Sequence, residues 1–134
     1  MNPNSFLVGL FCLLLGGCGG SGIAARKLEV DVEIINQSSR DLKNAKARFG
    51  DYACEWGWVI KTATKGFGFY PHPITAETEL DWDEEGMHRV ERIDLRKIYP
   101  SGKSGRLTFT VYDGRVEVSF RENVNASNAL PESK

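Results

Sequence analysis

The chain has 134 residues, with 17 Lys+Arg against 18 Asp+Glu, two histidines, 41% hydrophobic and 26% charged residues. That length suits one ordinary domain. A formal net charge of −1 excludes the overall basic footprint of a nucleic-acid binder, the apolar fraction excludes a disordered chain, and three cysteines exclude a disulfide scaffold.

The N-terminus reads as a targeting signal. Phe6 to Leu15 is an apolar run of ten residues. A membrane-spanning helix needs roughly 20, whereas the apolar region of a signal peptide needs only this many. The run ends in Leu15-Gly16-Gly17-Cys18, an apolar residue and two small ones directly before a cysteine. This tetrapeptide resembles the lipobox of bacterial lipoproteins. The resemblance implies a signal peptide over residues 1–17, cut between Gly17 and Cys18. It also implies that Cys18 carries a diacylglycerol on its thiol and a further acyl chain, such as palmitate, on its freed amine. Several chains, each contributing about 0.8 kcal/mol per buried methylene, anchor stably where one does not. Gly19 stands where that family places Asp to retain proteins at the inner membrane, so the resemblance favours the outer membrane. The segment Met1-Asn2-Pro3-Asn4-Ser5 departs from the family in carrying no Lys or Arg. A plain secretory signal cut nearby, with Cys18 incidental, is the alternative.

Processing of that kind discards Cys12 and consumes Cys18, leaving Cys54 without an intrachain partner. Cys54 is expected to be a small buried hydrophobe. A nucleophile needs a nearby base, and no motif ties Cys54 to His72 or His88.

Residues 18–26 form a Gly/Ser-rich tether. Period-two alternation then begins: Leu28, Val30, Val32 and Ile34 alternate with Glu29, Asp31 and Glu33, which predicts a strand with one wet face. Asn36 to Asp41 is a polar turn. Ala45, Ala47 and Phe49 mark a second strand that ends at Gly50-Asp51. Tyr52 to Ile60 is a third, expected to supply the core through some of Tyr52, Trp56, Trp58 and Val59. Lys61 to Gly66 reads as a polar loop or weak edge. Two prolines confine Gly66 to Ile74 to an edge or a crossover. Ala76 to Trp82 alternates again, and Asp83-Glu84-Glu85-Gly86 can turn the chain back into Met87 to Leu95. There Val90 breaks the parity of Glu91, Ile93 and Leu95, which predicts a bulge or a doubly covered stretch. Arg96 to Gly105 is a loop. Leu107, Phe109 and Val111, the turn Asp113-Gly114, and Val116, Val118 and Phe120 predict a hairpin. Residues 121–134 lose all periodicity and read as a tail.

Seven to eight short strands without a helical stretch predict an all-β, antiparallel sandwich over residues 27–120. The pattern resembles immunoglobulin-like and fibronectin type III-like domains in architecture alone, with Trp56 or Trp58 in the place of the core tryptophan. A small β-barrel is the alternative.

Five constellations could carry chemistry. Glu77, Glu79, Asp81, Asp83, Glu84 and Glu85 lack the spacing of a calcium loop and predict a solvated face balanced by Arg89, Arg92 or Arg96 across a hairpin. His72 and His88 lie in distant segments without metal-ligand spacing. Ser101-Gly102-Lys103-Ser104-Gly105-Arg106 lacks the phosphate-loop pattern. It is faintly similar to the Ser/Gly/basic loop of lipoprotein-type lysozyme inhibitors, although a simple connection fits better. Cys54 is the fourth. The aromatics Trp56, Trp58, Phe67, Phe69 and Tyr70 are expected to fill a core without disulfides, or else to form an exposed patch. The expectation is therefore a lipid-anchored envelope protein that serves as a non-enzymatic binding or structural accessory module. Cys18 is its lipidation site and membrane contact, and no catalytic residue, metal or cofactor is assigned. An envelope protein or glycan is the expected partner. An envelope enzyme, or an enzyme inhibitor of the lysozyme-inhibitor kind, is the alternative.

Overall fold

The computed structural model describes residues 28–123. The expected signal peptide (1–17), the expected lipidation site Cys18, the expected tether (18–26) and residues 124–134 of the expected tail lie outside the described residues. Eight strands follow in chain order: β1 (Val30–Asn36), β2 (Leu42–Phe49), β3 (Tyr52–Val59), β4 (Thr64–Phe67), β5 (Glu77–Glu84), β6 (Met87–Asp94), β7 (Gly105–Tyr112) and β8 (Arg115–Glu122). They form two four-stranded sheets in the orders β4-β1-β7-β8 and β3-β2-β5-β6, which are not closed into a barrel. The all-β sandwich expected from the alternation is the architecture found.

Five of the six pairings within the sheets are antiparallel; β1 and β7 run parallel, from Val30↔Gly105 to Asn36↔Val111. Both are interior strands, and a parallel pair needs a long crossover, which the whole second sheet provides. The order 4-1-7-8 against 3-2-5-6 differs from the immunoglobulin order, in which strands 1-2-5-4 face strands 3-6-7. The likeness is one of architecture, as the sequence resemblance was.

Alternation explains most of the core. Val30, Val32 and Ile34 of β1 and Leu107, Phe109 and Val111 of β7 all point inward and are buried. They meet Ala45, Ala47, Phe49, Cys54, Trp56, Leu80 and Trp82 of the other sheet. The parity of β2 and β3 is broken once. The β2–β3 register shifts between Leu42 and Ala45 and again between Ala45 and Lys46, with Asn44 at φ 51° and Gly57 at φ 70°. The bulge lets Leu42 and Val59 stay buried although each lies three residues from its nearest inward neighbour. It also separates the two tryptophans. Trp56 turns inward onto Phe109 with ring centroids 6.0 Å apart, whereas Trp58 is 57% exposed and donates from Nε1 to Asp41.

The bulge expected in the Met87 segment is not there: β5 and β6 pair without a break from Glu77↔Asp94 to Glu84↔Met87. Val90 is instead exposed on an edge strand. Arg89 and Glu91, paired with the inward Trp82 and Leu80, put charge on the inner side of that edge. Inward charge on an edge strand discourages pairing with another chain. The weak edge expected at Lys61 to Gly66 is β4. Strand β8 runs on to Glu122, so residues 121 and 122, expected in the tail, pair with Arg106 and Gly105. Gly105 is required there, since a Cβ would collide with the Arg121 carbonyl oxygen.

The two ends of the sandwich differ. At one, the buried Asn36 side chain donates to Arg40 O and Val59 O and accepts from the Ser38 N–H and hydroxyl, tying β1 to β3. At the other, Leu28, the β2–β3 turn, the β4–β5 crossover and the 95–104 loop come together. The backbone bonds Tyr70 N→Val30 O, Gly105 N→Glu29 O and Asn123 N→Ser104 O close that end.

Burial separates core from surface in a way denaturation can read. Phe109→Ala and Trp82→Ala should each cost about 3–5 kcal/mol in urea unfolding. Trp58→Ala, two residues from Trp56, should cost about 1 kcal/mol or less. Equal costs at positions 58 and 109 would contradict the inward assignment.

Candidate functional site

The crossover from β4 to β5 carries the sequence Gly68-Phe69-Tyr70-Pro71-His72-Pro73. Its prolines cannot join a ladder, so the segment leaves the sheet and folds across the end of the sandwich. Tyr70 turns in and is buried, its ring 5.3 Å from Phe49 and 6.0 Å from Phe67. His72 lies flat on Tyr52, with centroids 3.8 Å apart and planes 6° from parallel, and edge-on to Tyr70 at 5.5 Å. Tyr52 has the inward parity of Cys54 and Trp56 but lies beyond the last layer of the core, so its ring caps the end.

Phe69 points the other way and is 65% exposed. Its φ of 53° is one that L side chains rarely adopt and that costs on the order of 1–2 kcal/mol. The Asp31 carboxylate holds it there. Oδ1 accepts the Phe69 N–H at 3.0 Å, while Oδ2 faces the Arg106 guanidinium at 3.7 Å. A large apolar side chain is thus fixed toward solvent by a strained backbone and a charged clamp. Such strain persists only where the surroundings over-determine it, and it concentrates at functional positions. Beside it lies a concavity of about 670 Å³, whose apolar lining includes Leu28, Val30, Phe69, Ile74 and Tyr99, with His72 contributing a polar edge. Leu28 and Phe67 are also exposed around this end. Tyr99 packs edge-on against Phe120 at 4.9 Å and donates its hydroxyl to Lys103 O. Burial pushes the phenols of Tyr70 and Tyr99 above their ordinary range, so both rings are neutral. Among the described residues, Tyr70 Oη and Trp56 Nε1 are buried polar atoms without a partner.

The five aromatics singled out in the sequence therefore divide. Trp56 and Tyr70 belong to the core, Phe67 and Phe69 to the exposed end, and Trp58 to the far side of β3. Leu28, Tyr52, Ile74 and Tyr99 were not foreseen as members. A signal for Phe69 exists in the sequence: an aromatic between glycine and Tyr-Pro cannot sit in an alternating strand.

The acidic cluster is a balanced face. Asp81, only 3% exposed, is held by Arg48 at 3.1 Å and Lys46 at 3.7 Å, both from β2. Arg92 reaches Glu79, while Arg89 and Arg40 reach Glu84. Arg96 turns back to Asp94 instead. Asp83 accepts from Asn44 and pairs with His88 Nδ1 at 2.7 Å, and those two bonds hold its carboxyl below the usual range. His88 and His72 are thus engaged separately, one on the outer face of β6 and the other at the aromatic end. No group of three or more His, Cys, Asp or Glu side chains gathers at metal-binding spacing among the described residues. Cys54 is buried and free, and burial pushes its thiol up to about 12. In the 101–106 loop Ser104 Oγ accepts from Glu29 N–H, Lys103 pairs with Glu122, and Arg106 faces Asp31 and Glu33.

No protein-family model matches the chain, and no curated protein matches it by sequence. Among solved structures, the NMR structure of a protein from Eubacterium rectale matches with a TM-score of 0.49 and 15% identity, covering 74% of this chain and 94% of that one. A likeness at this level carries no argument about function.

Two measurements follow from the ionisation states. Cys54 should resist iodoacetamide at pH 8 until the protein is unfolded, because its thiolate is scarce and its sulfur inaccessible. Asp94, hydrogen-bonded by Arg96, has its carboxyl lowered from 3.8 to about 2, and Asp83 and Asp113 are lowered as well. The unfolded chain therefore takes up protons first as the pH falls. The contribution of these carboxylates is fully present above 3.8 and is lost as the pH drops toward 2. The melting temperature should fall across that window, and by less in Asp94→Asn.

Proposed function

We propose that this protein is a lipid-anchored module of the bacterial envelope that works by binding, and that its binding surface is the aromatic end of the sandwich. The single observation behind this reading is Phe69, a large apolar side chain held outward by a strained backbone and the Asp31 clamp, at the mouth of an apolar concavity. Small-molecule and peptide sites take this form, an apolar recess with a few placed polar groups. His72, Tyr99 and the exposed backbone around Pro71 and Pro73 supply the polar part here. The anchor rests on the Leu15-Gly16-Gly17-Cys18 sequence and its likeness to a lipobox.

The two halves of the proposal are tested separately. Cys18→Ser should release the protein from the membrane fraction of its own cells; equal retention of both forms would overturn the anchor. A photoreactive residue at position 69 should form adducts in intact envelopes well above those of one at Ser119, on the outer face of β8. Absence of adducts at 69 would remove the site. As a folding control, Phe69→Asn should melt at or above the wild-type temperature, because Asn tolerates positive φ better than Phe.

A further inference from the structure

The aromatic end lies where the described residues begin, at Leu28. Leu28 lies ten residues after Cys18. A Gly/Ser-rich chain of that length spans about 17 Å root-mean-square and no more than ~35 Å when extended. Leu28 is itself a member of the concavity, exposed beside Phe69, and β1 begins two residues later. A tether attached to a bilayer at Cys18 therefore keeps this end of the sandwich within reach of the bilayer. The surface so presented is the apolar one: Leu28, Phe67, Phe69 and the ring of Tyr52 are exposed there, with Pro71 and Pro73 between them.

We infer that the aromatic end seats in the interfacial layer of the membrane that carries the anchor, making the bilayer itself the ligand of the site. The inference rests on the proposed lipidation of Cys18. Aromatic rings with one polar edge favour the headgroup boundary, where apolar side chains enter about 5–10 Å. Tyr52, His72 and Tyr99 have that character, and Phe69 and Leu28 are the side chains that enter. Of the charges at this end, Arg96 pairs with Asp94 and Lys103 with Glu122, while Glu29 also lines the concavity. The contact is driven by apolar burial, which salt does not screen. Two points of attachment, the acyl chains and the aromatic end, fix the domain's orientation, which one attachment alone cannot do. The Asp31 clamp acquires a purpose in this arrangement: it keeps Phe69 outward in the absence of lipid, when an unrestrained side chain would turn into the concavity.

Site-directed labelling tests this directly, because Cys54 is buried and the Cys18 thiol is blocked by lipid. The lipidated full chain carrying Phe69→Cys, Leu28→Cys or Trp58→Cys, each with an environment-sensitive fluorophore, is reconstituted into phosphatidylcholine vesicles with brominated acyl chains. Labels at 69 and 28 should be quenched roughly twofold or more, at low and high salt alike, and the label at 58, at the other end of β3, should not. Protein that floats with the vesicles while its labels at 69 and 28 stay unquenched would overturn the inference and leave the anchor standing. Labels silent in protein-free vesicles but shielded in native envelopes would overturn it in favour of a macromolecular partner. Failure of the protein to float would show that the anchor reading itself is wrong.

Discussion

Phe49 is the residue on which both the core and the site depend. It is the last inward residue of β2, fully buried, with Phe109 of the opposite sheet 6.3 Å on one side and Tyr70 of the crossover 5.3 Å on the other. Phe109 in turn meets Trp56. The aromatic end is thus a continuation of the hydrophobic core. Tyr70 is its last buried layer, and Tyr52, His72 and Phe67 form a covering that the core cannot fully enclose. Aromatic contacts of this kind add roughly 0.5–1.5 kcal/mol each beyond simple burial. In a domain whose single cysteine among the described residues is unpaired, the same packing must close the two sheets and orient the surface.

Polar groups complete what the apolar layer cannot. Asn36 uses its amide to join β1 to the end of β3, and the hydroxyl and N–H of Ser39 bind Asp113, which ties the β7–β8 turn to the β1–β2 turn. The outer face of β2-β5-β6 is a lattice of opposite charges around Asp81. Exposed pairs of this type contribute about 0–1 kcal/mol each. Their clearer effect is on solubility; in the observed register Lys46 and Arg48 of β2 lie opposite Asp81 and Glu79 of β5. Charge on both sides of β6 also protects the edge that β6 leaves open.

Much of the fold was legible because strand alternation is imposed by geometry. Where one face is buried, a period of two must appear, as it does in β1, β5 and β7. The reading failed where the chain broke the period. The Asn44–Gly57 bulge inverts the parity of the residues beyond it, and no residue type announces which of Trp56 and Trp58 will be inside. The expected bulge at Val90 was a misreading of an edge strand: parity carries little information where neither face is covered. The acidic face was foreseen, but its main partners on β2 were not, since a neighbour across a non-consecutive pairing has no local signature.

The sequence by itself determined most of the elements: seven to eight short strand segments, their turns, and a lipobox-like Leu15-Gly16-Gly17-Cys18. These are local properties, set by the period of a strand, the conformations open to Gly, Pro and Asp, and the spacing of small residues before a cysteine. Only the tertiary structure decided which strands are neighbours, that β1 and β7 run parallel, and that Leu28, Tyr52, Phe69, His72 and Tyr99 share one end. That gathering depends on contacts between residues up to about 70 positions apart, which local sequence does not encode. It is also what turns scattered aromatics into one surface beside Leu28.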